Sequence, residues 1–287
     1  MKIPILFCFL AVASVSAVTQ TAPQTHEVLV NCISKDGNAA QLTQENLISD
    51  TLRITSVTPL GEVPIDYVLV YDTSNSMEQS VGKGAIFLAD ALLRTAVVSN
   101  RDRGSLVAFD TVRIVARGFT TSPDPIIDSL KSLRNGGGTS LYDALIDATK
   151  KFDEMGTDRP RFIFLISDGE DNQSKGSRGE AVKSLLASHV HLIGIFPASK
   201  DRRSFEFIRQ LAEDTGGFIV EATPADSTVK TLEKNKQTFE ELSQLFHSWN
   251  RVTFDLPANL RHISLKLRTT AGCKLIYPRE LVVVPNK

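Results

Sequence analysis

The sequence predicts an α/β protein: a doubly wound, mostly parallel sheet of six strands with helices on both faces, joined to a small β-rich module built from both ends of the chain. Three observations support this prediction. Short, nearly continuous apolar runs such as "IDYVLVY", "RFIFLIS" and "HLIGIFP" are typical of strands that are covered on both faces. Segments with helical periodicity alternate with these runs. Segments near both ends of the chain instead alternate between apolar and polar residues, as strands of an antiparallel sheet do.

The first part of the predicted β module comes from the N-terminal segment. The stretches "EVLVNCI" and "TLRITSVT" alternate in strand fashion, and "SKDGN" between them carries the Asp-Gly signal of a turn. The second part follows Trp249, where "RVTFDLP", "HISLKLRT" and "LIYPRELVVV" return to a strand pattern. We therefore expect residues 251–287 to pack against residues 27–60.

The middle of the chain predicts the α/β domain. Its strands are expected at residues 65–71, 104–110, 112–119, 161–167, 191–197 and 218–222. The second and third of these are expected to form a hairpin. Helices are expected at residues 84–98, 123–133, 141–152, 177–188, 204–214 and 226–249. The pair Gly216-Gly217 is a typical helix stop.

The charge balance excludes one class of partner. The chain has 32 Lys and Arg against 33 Asp and Glu, so no basic surplus favours nucleic acid or an anionic membrane. No apolar run reaches the roughly 18 residues needed to span a bilayer. We expect no nucleic-acid binding and no membrane span.

The N-terminus, "MKIPILFCFLAVASVSA", predicts export. One Lys precedes an apolar run that closes on small residues, which is the pattern of a signal peptide over residues 1–17. The predicted domain order is then a signal peptide, an N-terminal β segment at 18–60, an α/β domain at 61–250 and a C-terminal β segment at 251–287. A periplasmic or extracellular location follows from export.

Two cysteines remain after loss of the leader, which contains the third. Cys32 lies in the first predicted strand and Cys273 near the last. In an oxidising compartment this arrangement favours one disulfide between the terminal segments. The alternative is two unpaired, partly buried thiols.

Three segments carry an excess of oxygen at strand ends. Asp72, Ser74 and Ser76 follow the strand "IDYVLVY", Thr139 follows a run of three glycines before a helix, and Asp168 follows "FIFLIS". In doubly wound sheets these positions share the carboxyl edge, where ligands bind. Two carboxylates and three hydroxyls without Cys or His suit Mg2+, Mn2+ or Ca2+ better than Zn2+. The simpler interpretation is that each residue only caps a helix.

The same five positions carry a resemblance to a known family. Asp-x-Ser-x-Ser after a central strand, Thr after a Gly-rich loop and Asp in "SDG" resemble the metal-ion-dependent adhesion site of von Willebrand factor A domains. The resemblance covers roughly residues 61–250. It implies that Ser74, Ser76 and Thr139 bind the cation directly, and that Asp72 and Asp168 act largely through water. The flanking segments resemble exported bacterial proteins of the same superfamily.

The function that follows is cation-dependent binding. Neutral hydroxyl ligands leave the cation much of its charge and an open position, which a carboxylate of a protein partner can fill. We therefore expect an exported adhesion or binding module that holds Mg2+, with Mn2+ or Ca2+ as alternatives, and that is not an enzyme. The glycine run lacks the Lys of a phosphate-binding loop.

Two other functions stay open on the sequence alone. One is a structural or assembly protein in which the metal is incidental. The other is a Mg2+-dependent phosphohydrolase in which Asp72 forms an aspartyl-phosphate, although such sites want a second acid where this chain has Ser74. His189 and His191 lie two residues apart, but no Cys or acid has the spacing of a zinc site. Glu170, Asp171 and Asn172 are interpreted as loop polarity that could shape the rim of the site.

Overall fold

A computed structural model describes most of the chain between Gln24 and Arg279. The described residues are 24–34, 39–61, 63–80, 84–111, 114–153, 155–156, 158–197, 203–222, 229–257, 260, 262–268 and 273–279. The predicted signal peptide, residues 35–38 of the predicted turn and residues 280–284 of the last predicted strand lie outside them.

The central sheet has six strands in the order β6-β5-β4-β7-β8-β9. Five of them are parallel, and the short edge strand β6 is the antiparallel hairpin partner of β5. All residues of β4 and β7 are buried, as their continuous apolar runs predict. The strands are β4 (Asp66–Asp72), β5 (Arg103–Phe109), β6 (Ile114–Ala116), β7 (Arg161–Ile166), β8 (Val190–Pro197) and β9 (Phe218–Ala222).

Helices cover both faces of this sheet and form two separate cores. Helices α2, α3 and α7 pack on one face, and α4, α5 and α6 pack on the other. Alternate residues of β4 point to the two cores, with Leu69 in the first and Val70 in the second. The helices are α1 (Asn75–Ser80), α2 (Gly84–Thr95), α3 (Asp124–Ser132), α4 (Leu141–Lys150), α5 (Arg178–Ala187), α6 (Arg203–Asp214) and α7 (Val229–Phe246).

Strands from both ends of the chain form a second, antiparallel sheet in the order β12-β1-β10-β3. A short ladder of β2 with β11 lies beside it in the same module, which has a core of its own. The strands are β1 (Gln24–Ile33), β2 (Leu47–Ile48), β3 (Arg53–Pro59), β10 (Asn250–Leu256), β11 (Lys266–Leu267) and β12 (Lys274–Ile276). The predicted fold class, an α/β sheet with a β module from the two termini, is confirmed.

The structure differs from the prediction in two places in the β module. The strand expected at 262–269 forms a ladder only at Lys266–Leu267, and the one expected at 275–284 only at Lys274–Ile276 within the described residues. Cys32 and Cys273 are not joined by a disulfide in this structure, but they contact each other. Burial and a hydrogen bond with Cys273 raise the pKa of Cys32 to about 12.

Membrane crossing was not expected for this chain. None of the helices in the described residues combines the length and the apolar character that a bilayer crossing requires.

Candidate metal centre

The candidate site lies where the strand order of the central sheet reverses. The chain leaves β4 for β5 on one side and returns later to β7 on the other side of β4. Helices α2 and α4 pack on opposite faces, so a crevice opens between the carboxyl ends of β4 and β7. Asp72 is the last residue of β4, and Asp168 comes two residues after the last residue of β7. Both predicted carboxylates therefore lie at this crevice.

Asp72 is buried, and both of its carboxylate oxygens accept hydrogen bonds. The backbone N–H of Ser74 donates to Oδ1 at 2.8 Å, and the hydroxyl of Ser167 donates to Oδ2 at 2.7 Å. Burial raises the pKa of Asp72 to about 6, against the lowering effect of these hydrogen bonds, and the negative charge of Asp168 raises it further. The two carboxylates are thus close enough to repel each other, and a cation between them would relieve that repulsion.

The two serines present their hydroxyls to the same space. Ser74 is buried and Ser76 is half-buried at the start of α1, and their Oγ atoms are 3.0 Å apart. Two oxygens at adjacent positions around an octahedral Mg2+, each about 2.1 Å from the ion, would lie about 3.0 Å from each other. The spacing of the two hydroxyls therefore fits neighbouring ligands of such an ion.

Thr139 follows a loop of three glycines, and this loop packs against the segment 72–76 at the end of β4. The N–H of Gly136 donates to the carbonyl of Thr73 at 2.8 Å, and the N–H of Asn75 donates to the carbonyl of Gly137 at 3.3 Å. Thr139 is 1% exposed, and its hydroxyl has no hydrogen-bond partner among the described residues. This hydroxyl is therefore available to a ligand.

Residues after Asp168 fix this loop, which is a role that the sequence alone did not predict for them. Asn172 Oδ1 accepts a hydrogen bond from the N–H of Thr139 at 2.9 Å. Asp171 Oδ1 accepts from the N–H of Leu141 at 2.8 Å at the first turn of α4. Ser167, which was also missed, orients Asp72. The sequence indicated for Asp171 and Asn172 only that they could shape the rim of the site. Ser167 also had a signal, because it is a polar residue directly before Asp168 at the end of an otherwise apolar strand.

The chemistry of the donors matches a hard cation. Within the described residues, no Lys, Arg or His nitrogen lies within 4 Å of the carboxylates of Asp72 or Asp168, so no side-chain cation neutralises them. The same residues contain no cluster of three or more His, Cys, Asp or Glu side chains that could hold a metal ion. What the crevice offers is oxygen from two acids and three hydroxyls, the set that Mg2+ and similar ions prefer.

The site is open on one side. Asp72, Ser74 and Thr139 are buried, whereas Ser76 and Asp168 are partly exposed. An ion at this place would have protein beneath it and solvent in front of it. The arrangement can hold a cation and leave a coordination position for a group from another molecule.

The sequence is similar to that of a known protein family. The profile of the family "VWA domain containing CoxE-like protein" matches residues 44–231, which is more than half of the chain. The uncharacterised protein YwmD of Bacillus subtilis (strain 168) is 31% identical over 115 residues, which are 40% of this chain and 51% of that protein. The match thus spans about half the length of this relative.

Similar solved structures cover roughly two thirds of the chain. BatB from Bacteroides thetaiotaomicron has a TM-score of 0.46 at 20% identity and covers 63% of this chain and 98% of its own. The SpRpn10 VWA domain has a TM-score of 0.49 at 9% identity, and the match covers 63% of this chain and 98% of that domain. Proximal thread matrix protein 1 from the mussel byssus was solved with a zinc-occupied MIDAS motif. It has a TM-score of 0.49 at 16% identity, and the match covers 66% of this chain and 49% of that protein. On the extent of the profile match, the chain belongs to the family of VWA domain containing CoxE-like proteins.

Proposed function

We propose that this protein is an exported binding module that uses a divalent cation to hold an acidic group of a protein partner. The cation would be held by Ser74, Ser76 and Thr139 directly, with Asp72 and Asp168 acting largely through water. Mg2+ is the proposed ion, and Mn2+ or Ca2+ would fit the same donors. When bound, the ion supplies a positive charge with one position left for a carboxylate.

The observation that carries this proposal is the convergence of oxygen donors from three distant segments on one open crevice. The 3.0 Å separation of the Ser74 and Ser76 hydroxyls and the unpartnered hydroxyl of Thr139 among the described residues support ligand roles for all three. The partial exposure of Ser76 and Asp168 supports access by a partner. Membership of a VWA family supports the same view.

The geometry does not favour an enzymatic role for Asp72. An aspartyl-phosphate requires that one carboxylate oxygen attack a substrate, but Asp72 is 1% exposed and both of its oxygens accept hydrogen bonds. No described Lys or Arg lies beside it to stabilise the charge of a transferred phosphoryl group. We therefore propose a protein without catalytic activity at this site, placed in the periplasm or outside the cell.

Calorimetric titration of the metal-free protein with Mg2+ and Mn2+ tests the metal site. We expect one ion per chain for the wild type and a loss of at least about tenfold in affinity for Thr139→Ala and Asp168→Asn. Thr149→Ala is the matched control, because Thr149 is similarly buried and its hydroxyl bonds Ile146 and Ser184 in the middle of the domain. Unchanged affinity in both site variants would refute the ligand assignment.

A second experiment tests the partner. Wild-type protein and Thr139→Ala are used as baits in the native compartment, with Mg2+ or with a chelator. The expected partner is retained only by the wild type with Mg2+, and replacement of its contacting Asp or Glu by Asn or Gln abolishes retention. Retention that persists with chelator and in Thr139→Ala would favour an assembly role in which the metal is incidental.

A further inference from the structure

A second cavity lies at the edge of the central sheet opposite to the candidate metal centre. Its volume is about 270 Å³, and its lining includes residues at the start of β7 and β8 together with residues of β1 and β10. A parallel strand of six residues spans about 20 Å, so this cavity is far from Asp72 and Asp168. The charged and apolar side chains that shape it include Glu27, Leu29, Arg159, Arg161, Leu186 and Arg251.

Arg161 brings a buried positive charge to this cavity. It is 7% exposed, and its terminal N–H groups donate to backbone carbonyls, among them those of Ser188 at 3.0 Å and Met155 at 2.9 Å. Its Nε is buried and has no hydrogen-bond partner among the described residues. Within the described residues no carboxylate lies within 4 Å of its guanidinium group, and Asp66, Asp153 and Asp158 act on it only from a greater distance. The charge of this buried cation is therefore only partly compensated, so it can attract an anion.

Arg159 adds a second charge that is only partly compensated. Its closest carboxylate is that of Asp66, at 3.8 Å, but both oxygens of Asp66 already accept hydrogen bonds from Arg103 at 2.7 Å. One buried acid therefore serves two guanidinium groups. The third arginine of the lining, Arg251, is paired with Glu27 at 3.5 Å.

The histidines beside the cavity are consistent with a positive environment. Burial and the charge of Arg161 both lower the pKa of His189, and burial lowers the pKa of His191 to about 4. Both rings are therefore neutral at pH 7 and add no charge. The lining then carries three arginines against two acids, Glu27 and Asp158.

The remainder of the lining is largely apolar, with Leu29, Leu60, Leu186 and Val190 among its members. A site that combines an apolar wall with a few charged groups binds small organic ions. We propose that this cavity binds a small organic carboxylate, with its carboxylate toward Arg159 and Arg161 and its apolar body against the leucines. This proposal does not depend on the metal-dependent function, because the two sites share no residue.

Titration with benzoate and with benzamide tests the proposal, since the two molecules have the same shape and differ in charge. The full chain is titrated with a chelator present, so that a cation at the metal centre cannot contribute to carboxylate binding. We expect saturable binding of one benzoate per chain and no saturable binding of benzamide. The variants are Arg159→Gln and Glu27→Gln, whose side chains are 24% and 57% exposed and therefore tolerate substitution.

The two variants are expected to act in opposite directions. Arg159→Gln should weaken benzoate binding by about tenfold, because it removes a charge-assisted hydrogen bond. Glu27→Gln should tighten the binding, because it removes an acid from the lining. Arg94→Gln is the control, since Arg94 is a half-exposed arginine of α2 that pairs with Asp90 and Asp124 away from the cavity.

Equal binding of benzoate and benzamide would overturn the proposal, as would a failure of benzoate to saturate at tens of millimolar. Equal affinities in Arg159→Gln and wild type would also overturn it. Inorganic phosphate is the last arm of the experiment. Saturable binding of phosphate without binding of benzoate would assign the cavity to an inorganic oxyanion and exclude an organic carboxylate.

Discussion

At the scale of single residues, the orientation of Asp72 depends on a serine from another strand. The Ser167 hydroxyl donates to Asp72 Oδ2 at 2.7 Å and accepts from the N–H of Gly169 at 3.0 Å. The second bond holds the hydroxyl in the direction of the carboxylate. Ser167 is fully buried and does not lie on the open side of the crevice, so it positions a proposed ligand without being one.

Ser167→Ala is therefore expected to weaken cation binding while leaving all five proposed ligands in place. Loss of a partner of this kind costs about 10- to 100-fold in metal affinity. Ser105→Ala is the matched control, because Ser105 is an equally buried strand serine whose hydroxyl donates to the carbonyl of Arg117. Calorimetry with Mn2+ measures both. Equal losses in the two variants would mean that Ser167 affects binding only through general stability.

The proposed ligands could be predicted from the sequence because each belongs to a local pattern, either at the end of an apolar strand or, for Thr139, after the glycine run before α4. Parallel strands bring their carboxyl ends to one edge, so the pattern alone places Asp72 and Asp168 together. The roles of Asp171 and Asn172 could not be predicted in this way. Their partners lie about thirty residues earlier in the chain, on a loop whose position depends on the complete sheet.

At the scale of elements, the glycine loop before α4 contains positions that tolerate no side chain, and Gly137 is one of them. Gly137 has φ of +76°, and a Cβ on it would meet the Thr111 hydroxyl at 2.8 Å. Thr111 cannot move freely, because its hydroxyl accepts a hydrogen bond from the N–H of Gly138. The neighbouring Gly136 differs, because its φ is not positive and a Cβ on it would have no atom within 4 Å among the described residues.

Gly137→Ala is expected to destabilise the protein by about 1–2 kcal/mol and to weaken cation binding, because it displaces the loop that carries Thr139. Gly136→Ala should change both quantities little, and it serves as the control from the same loop. Denaturant unfolding and Mn2+ titration give the two measurements. Normal cation affinity in Gly137→Ala would show that Thr139 does not depend on this loop conformation.

Strand β8 contains a buried histidine, His191, whose lowered pKa predicts how the stability of the protein responds to acid. The His191 ring lies 4.5 Å from that of Trp249, and its Nδ1–H donates to the carbonyl of Gly216 at 3.0 Å. Burial lowers its pKa from 6.5 to about 4. Below pH 6.5 the unfolded chain therefore takes up a proton that the folded protein does not, and this stabilises the unfolded state.

The free energy of unfolding should thus fall by up to about 3 kcal/mol through His191 alone between pH 6.5 and pH 4. Above pH 6.5 the residue makes no contribution to the pH dependence. The raised pKa of Asp72 stabilises the folded protein as the pH falls, which is opposite to the effect of His191. This contribution is the same in the wild type and in the His191 variant. The measurement is therefore the difference in slope between wild type and His191→Gln, from urea unfolding at several pH values. Parallel curves would contradict the prediction.

The β module shows why strand length was predicted less well there than in the central sheet. Residues 262–269 alternate between apolar and polar, and Ile263 and Leu265 are indeed buried in the core of the module. Within the described part of this segment, however, only Lys266–Leu267 forms a ladder, and His262 forms a single bridge. An alternating pattern reports which side chains are buried, and burial does not require a continuous hydrogen-bonded ladder. In the parallel strands of the central sheet the buried residues also form continuous ladders. The ends of these strands were therefore predicted within a few residues.

At the scale of the whole molecule, the two ends of the chain meet in one sheet, with β1 between β12 and β10. Cys32 on β1 and Cys273 next to β12 interact there, although 240 residues separate them in the sequence. Cys273 is partly exposed and lines a cavity, so an oxidant can reach it. The disulfide stays a prediction for the protein in an oxidising compartment, and its closure would link the N-terminal and C-terminal segments covalently.

The mature protein isolated without reductant from an oxidising compartment should show no titratable thiol after denaturation, and two after reduction. Because the closed loop contains most of the chain, reduction should lower the free energy of unfolding by about 2–5 kcal/mol. A variant with both Cys32→Ser and Cys273→Ser should unfold like the reduced wild type and should not respond to reductant. Cation affinity should be the same in all forms, since the metal centre lies in the other module. Two free thiols in the unreduced protein would instead mean that Cys32 and Cys273 act only as packed side chains.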